Sequence, residues 1–158
     1  MKSKPAHWDA IFANTSIKEL GWYESDSRLS LQFLNQIKDW QTSTIFVSGA
    51  GTTNLIDELL TKNTNLVVND ISAEALSILK SRIGEKAKNI TWLCQDISTP
   101  LPSFLQSIDI WFDRAVLHFL VDDEDIVSYF KNIKSSVKIS GHVILAEFSK
   151  SGALKCAG

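Results

Sequence analysis

A short apolar run, Thr44-Ile45-Phe46-Val47, leads into Ser48-Gly49-Ala50-Gly51-Thr52-Thr53 and then an amphipathic stretch, and twenty-one residues past Gly49 a second apolar run closes on Asp70. Strand, glycine turn, helix, strand and terminal acid together lay out a pocket for a nucleotide-bearing ligand. The first glycine permits a tight turn, the second lets a ligand approach bare backbone, and an acid ending the next strand accepts hydrogen bonds from ribose hydroxyls. The unit also constrains the fold, because two parallel strands joined through a helix need a helical layer on the sheet. A Gly-x-Gly pair alone does not choose the ligand.

The remaining pattern repeats that unit. Leu29, Phe33, Leu34, Ile37 and Trp40 recur from Ser27 at helical steps, and strand one follows at 44–48. A second helix, capped by Thr52 or Thr53, carries Leu55, Ile56, Leu59 and Leu60 and ends near Asn63. Leu66-Val67-Val68 reads as a strand covered on both faces. Ser72 caps a third helix ending at Gly84, and strands follow at Ile90 to Cys94 and Ile108 to Phe112. Asp122 or Asp123 opens a helix with Ile126, Phe130, Ile133 and Val137 on one face, and Ser140-Gly141 turns into a fifth strand, His142 to Phe148. Strands alternating with helices predict a doubly wound, mostly parallel α/β sheet of Rossmann-like type. The 158 residues form one domain: a helical cap over 1–43, an α/β core over 44–148 and a tail over 149–158.

Composition excludes several classes. A net charge of −2 and a pI near 5.9 provide no overall basic field for a phosphate backbone, so nucleic acid is not the expected partner. No apolar run approaches the roughly twenty residues that span a bilayer, and Met1-Lys2-Ser3-Lys4-Pro5 is not followed by a signal-peptide core. Cys94 and Cys156 lie far apart, and no Cys or His pairs have metal-ligand spacing, so no metal is expected and the thiols read as reduced in a cytoplasmic protein.

In a doubly wound sheet the ligand lies beyond the carboxyl ends of the strands. Those ends are Gly49 and Gly51, Asp70 and Ile71, Asp96 and Ile97, Asp113 and Arg114, and Glu147 and Phe148. Four of the five carry a carboxylate, which suits a ligand with hydroxyls, amines and positive charge and suits a pyrophosphate poorly.

These stretches, in order and spacing, resemble the class I S-adenosylmethionine-dependent methyltransferases of the type 11/12-like domain group over about two thirds of the chain. Trp22-Tyr23-Glu24 and Asp113-Arg114-Ala115-Val116-Leu117-His118-Phe119-Leu120 are more loosely similar to a subgroup with protein-lysine and thiopurine-methyltransferase-like members. The resemblance implies S-adenosyl-L-methionine as cofactor, with S-adenosyl-L-homocysteine as product. It implies that Gly49 and Gly51 border the methionine part, that Asp70 holds the ribose and Ile71 packs on adenine, and that Asp96 and the backbone of Ile97 face the adenine amino group. Asp113 is implied at the methionine end and as the catalytic polar group beside the acceptor, with Arg114, Trp22 and Tyr23 on the substrate side. The acceptor would be a small molecule or a protein side chain. Adenine-amine methylases carry Pro-Pro and an aromatic after the strand-four acid, where this chain has Arg114-Ala115-Val116.

The sequence departs from the family at Val47, where an acid is usual, and at Thr53, where a third small residue is usual. It also lacks a strand-length apolar run after Phe148, so strands 6 and 7 of the fold are expected to be missing by truncation. Strand five is then an open edge available for self-association. Plainer roles stay open: Asp113 as a structural partner of Arg114, Glu147 as a strand-end acid, and His118 as a packed side chain. A cofactor-binding domain or fragment with little catalysis is the second functional reading, and an NAD-dependent dehydrogenase the third.

Overall fold

A computed structural model describes residues 4–148; the tail over 149–158, and with it the expected truncation, lies outside the described residues. Five strands, β1 (Thr44–Ser48), β2 (Asn65–Asp70), β3 (Ile90–Cys94), β4 (Ile108–Arg114) and β5 (Val137–Ala146), form one all-parallel sheet in the order β3-β2-β1-β4-β5. Five helices accompany them: α1 (Pro5–Asn14), α2 (Arg28–Leu34), α3 (Leu55–Leu59), α4 (Ala73–Ile83) and α5 (Asp123–Ser136).

Strand alternation divides the core into two layers. Ile45, Val47, Leu66, Val68, Ile110 and Phe112 face α3 and α4 and pack with Leu55, Ile56, Leu59, Leu76 and Leu79. Phe46, Val67 and Trp111 face α5. There the Phe46 and Trp111 rings stack at 4.2 Å, and Trp111 Nε1 donates to the Tyr129 hydroxyl at 3.1 Å. With helices on opposite faces, the chain reverses winding between β1 and β4. The carboxyl ends of those two strands therefore frame a crevice.

Several elements differ from the sequence reading. The helix expected from Ser27 to Trp40 ends at Leu34, and Leu29 and Phe33 are exposed. Asp39 takes a left-handed conformation (φ 57°), which stops any continuation, and Trp40 sits in a following 3-10 turn. Helix α3 stops before Asn63 because the Thr61 and Thr64 hydroxyls donate to the carbonyls of Glu58 (2.7 Å) and Leu59 (3.0 Å). On α5 the buried positions are Tyr129, Asn132 and Ser136, while Phe130 is exposed. Asn132 gains its place by polar contacts: its Nδ2 donates to the carbonyls of Ile97 and Thr99, and its Oδ1 accepts from the Leu101 amide. Val137 begins β5 rather than ending α5, and the register is interrupted between Ile108 and Ile110.

Helix α1, which hydropathy did not single out, docks on the start of α4. Ser72 Oγ accepts from the Ala75 amide (3.0 Å) as the helix cap and donates to Asp9 Oδ1 (2.7 Å), and Asp9 also accepts from the Glu74 amide (3.1 Å). These bonds hold the Asp9 carboxyl below its usual range. A Ser72→Ala variant is expected to lose about 1–2 kcal/mol, or about 2–8 °C in Tm. In a double-mutant cycle with Asp9→Ala, measured by thermal denaturation, the two losses should sum to more than the double mutant's loss, because both remove the same cap.

Candidate functional site

The glycine turn is shaped by its neighbours as much as by its own sequence. Gly49 (φ 50°) and Gly51 (φ 52°) both take left-handed conformations, which residues with a Cβ adopt at a cost. A Cβ on Gly49 would overlap Cγ2 of Val116, and one on Gly51 would lie 3.2 Å from the Phe12 ring. The amides of the turn are directed inward: Ala50 donates to the Asn69 carbonyl (2.8 Å), Gly51 to Asp70 Oδ2 (2.7 Å) and Thr53 to the Ala50 carbonyl (3.1 Å). From outside, Arg82 of α4 clamps the same loop, donating to the carbonyls of Thr52 (2.7 Å) and Thr53 (2.5 Å) and to Asp57 (2.7 Å).

Asp70 joins the turn to α4. Its Oδ1 accepts from the Ser72 amide (2.8 Å) while Oδ2 holds Gly51, and the side chain is buried. Burial outweighs these two bonds and pushes its pKa up to about 6. Asp96 is tied in the same manner after β3, its Oδ1 accepting from the amide (2.9 Å) and hydroxyl (2.7 Å) of Ser98.

These groups open onto a cavity at the carboxyl ends of β1, β2 and β4 whose empty space, counted with its mouth, is about 1130 Å³. Gly49, Asp70, Ile71, Asp96, Ile97, Arg114, Trp22 and Tyr23 all line it, as the sequence reading placed them; Gly51 lies behind the surface, holding Asp70. Three contributors were not anticipated. Trp8 and Phe12 of α1 roof the cavity, and Phe119 joins Trp8 (4.7 Å between centroids) and Trp22 (6.3 Å) in a wall of edge-on rings. Trp8 and Phe12 stand with Ile11 at helical spacing, a signal present in the sequence, whereas nothing in the run after Asp113 marks Phe119 as a wall residue.

Arg114 lines the cavity and is anchored to its roof: Nη2 donates to the Trp22 carbonyl (2.7 Å) and pairs with Glu24 (3.1 Å), whose carbonyl also accepts from Asn54 Nδ2 (3.1 Å). One expectation is corrected. Asp113 does not line the cavity. Alternation along β4 sends its side chain to the α5 face with Trp111, where it is fully buried, accepts from the Tyr129 hydroxyl (2.5 Å) and takes the Val116 amide (3.2 Å). Its partner is thus Tyr129, not Arg114.

Glu147 is more than a strand-end acid. It accepts from the Leu117 amide (3.2 Å) and His118 amide (3.4 Å), and its Oε2 lies 2.6 Å from His118 Nδ1. His118 is packed between Phe119 and Phe148. Asp113 and Glu147 therefore pin residues 116–118, and with them the Val116 and Phe119 side chains that face the cavity. Burial pushes the Asp113 carboxyl up to about 7, against the Tyr129 bond and with help from the Glu147 charge. Burial also works against the Glu147 charge, but hydrogen bonds from His118 and Asp113 hold its carboxyl below the ordinary range.

A group with a raised folded pKa stabilises the protein at low pH and loses that contribution as pH climbs to the folded value. Asp70 completes this loss near pH 6 and Asp113 near pH 7. Thermal denaturation of the native protein should therefore show these two groups lowering Tm between about pH 4 and 7, with no further contribution above pH 7. Asp113→Asn, which keeps an acceptor for Tyr129, should flatten that fall. Gly49→Ala should cost at least about 1 kcal/mol from φ alone. Val116→Ala in the same chain should recover only the steric part, read by the same method.

Residues 45–141 match the family described as "Methyltransferase domain". The chain is 25% identical over 156 residues to phosphoethanolamine N-methyltransferase 1 of Triticum aestivum, covering 97% of this chain and 30% of that protein. Among solved structures it resembles phosphoethanolamine N-methyltransferase 1 of Haemonchus contortus in complex with phosphoethanolamine and S-adenosylhomocysteine (TM-score 0.70, 16% identity, 96% of this chain and 34% of that one). It also resembles the N-methyltransferase NodS of Bradyrhizobium japonicum in complex with S-adenosyl-L-homocysteine (TM-score 0.67, 15% identity, 89% and 71%). The chain thus spans about a third of the length of the two phosphoethanolamine enzymes, and at these identities the solved structures establish the shared fold.

Proposed function

This chain belongs to the methyltransferase-domain family, and on that premise we propose that it is an S-adenosyl-L-methionine-dependent methyltransferase acting on a small molecule or a protein side chain. The observation that carries the cofactor is Asp70, a buried carboxylate on the cavity wall, locked by Gly51 and Ser72 in the position that meets ribose hydroxyls. Ile71 and Ile97 offer apolar surface for an adenine ring, Asp96 an acceptor for its amino group, and Gly49 a place where the methionine portion can lie on backbone. The Ala50, Gly51 and Thr53 amides, already donated inward, are not available to a pyrophosphate. With Thr53 in place of a third glycine, this speaks against a dinucleotide.

S-adenosyl-L-methionine supplies a methyl group already activated on a sulfonium, so the protein's task is alignment and exclusion of water. Trp8, Trp22, Tyr23 and Phe119 form the water-excluding wall, and the Arg114–Glu24 pair holds the roof over it. Asp113 serves as a positioning residue: it fixes the Val116 amide beneath the wall and contacts no reacting atom. Relatives named N-methyltransferases favour nitrogen as the acceptor atom. The acidic balance of the chain speaks against a nucleic-acid acceptor.

A cofactor-binding domain with little catalysis is the second reading, favoured by the short span of the chain against the Triticum aestivum relative. On β5, Val143 and Leu145 are 43% and 40% exposed along the sheet edge, which supports self-association there. Among the described residues no helix is long and apolar enough to cross a membrane, and we place the protein in the cytoplasm.

Calorimetric titration tests the reading. S-adenosylhomocysteine should bind at micromolar concentration and NAD should not; the reverse would overturn it. Release of S-adenosylhomocysteine with a cell extract as acceptor source then separates enzyme from binding domain. Asp70→Ala should weaken cofactor binding at least about tenfold. Hydroxyl donors prefer the ionised carboxylate, so affinity should also rise with pH through about 6, a dependence that Asp70→Asn should abolish.

A further inference from the structure

Sheet register sets three strand-end residues abreast at the cavity. Val47 pairs with both Val68 and Phe112, so Asp70, Gly49 and Arg114, each two residues further on, stand level with one another. The backbones of Asp70 and Arg114 are separated by two strand spacings, about 10 Å, and the residue between them presents no side chain. All three line the cavity. A ligand whose ribose is held at Asp70 can thus extend along the Gly49 backbone toward Arg114.

Two charges wait at that end of the row. Arg114 is the sole base among the described residues lining the cavity. Its bonds to the Trp22 carbonyl and to Glu24 Oε1 both use Nη2, so among the described residues the N–H groups on Nε and Nη1 are uncommitted. Glu24 is held by that contact and by its own carbonyl, which accepts from Asn54 Nδ2 at the start of α3, and its Oε2 has no partner among the described residues. The remaining acids of the cavity, Asp70 and Asp96, stand at the β2 and β3 ends, and Val47 brings no charge from β1.

The cofactor ends in a carboxylate and an ammonium, and burying either without a partner is costly. A guanidinium with free N–H groups suits the carboxylate, and an anchored acid beside it suits the ammonium. We propose that Arg114 and Glu24 form the clamp for the amino-acid end of S-adenosyl-L-methionine, Arg114 taking its carboxylate and Glu24 its ammonium. Their mutual pairing presets both groups while leaving each a free polar edge for the ligand. The proposal rests on the methyltransferase reading above, and it assigns Arg114 to the cofactor rather than to the acceptor.

Calorimetric titration compares S-adenosylhomocysteine with methylthioadenosine, which keeps adenosine and sulfur but lacks the amino-acid end. If neither binds, the methyltransferase reading itself falls. If both bind, S-adenosylhomocysteine should be tighter by at least about tenfold, and equal affinity would overturn the clamp while sparing that reading. Arg114→Gln should weaken S-adenosylhomocysteine by at least about tenfold and leave methylthioadenosine within about twofold. Glu24→Gln should weaken S-adenosylhomocysteine by at least about threefold, yet hardly alter affinity for its deaminated analogue. Methylthioadenosine binding verifies the fold of each variant, and the Glu24→Gln comparison decides the matter if Arg114→Gln does not fold. A variant that loses both ligands equally would show that the pair merely supports the roof, which overturns the proposal.

Discussion

One carboxylate organises the cofactor end of this molecule. Asp70 ends β2, accepts the Gly51 amide from the turn after β1 and the Ser72 amide at the start of α4, and thereby ties three chain segments at one point. Burying a carboxylate is costly, and its pKa is raised to about 6. The arrangement persists because the surrounding bonds leave it no alternative: Ser72 caps α4 and reaches Asp9, Asp9 anchors α1, and Arg82 braces the turn from behind. The roof of the cavity is consequently mechanically connected to the group that would meet the ribose.

A second pair of acids governs the opposite wall. Asp113 and Glu147, at the ends of β4 and β5, lie on the α5 side of the sheet and hold the loop from Val116 to His118 by its amides. Neither needs to touch a ligand to matter. Val116 fills the space above Gly49, so the loop and the glycine turn are complementary surfaces, and the missing Cβ of Gly49 is what lets them meet. Acids at successive strand ends thus do two jobs in this fold: those on the α4 side reach the cavity, and those on the α5 side set the loops that complete it.

The order and type of the central elements were legible because each rests on local pattern. Continuous apolar runs mark buried parallel strands, Ser72 and Gly84 bracket α4, and β1 and β3 begin and end where hydropathy places them. Legibility failed where a side chain satisfied a distant backbone group. Thr61 and Thr64 cut α3 short, and Asn132 turned a polar position of α5 inward to serve the loop after β3. Helix α1 carries only a short stripe, Trp8, Ile11 and Phe12, and Trp8 and Phe12 pack on rings from residues 22 and 119.

Sequence by itself determined the strand–turn–strand unit, the parallel sheet and the set of strand-end residues from which a site could be drawn, because periodicity, turn glycines and terminal acids act over a few residues. Tertiary structure alone decided which of those residues face the cavity. Asp70, Asp96 and Arg114 do, Arg114 with its Nη2 bound to the Trp22 carbonyl and Glu24, while Asp113 turns to Tyr129. The reason is physical: which side of a sheet a strand-end group occupies follows from strand alternation. Whether its charge is free then depends on a partner ninety residues away, information that no local pattern carries.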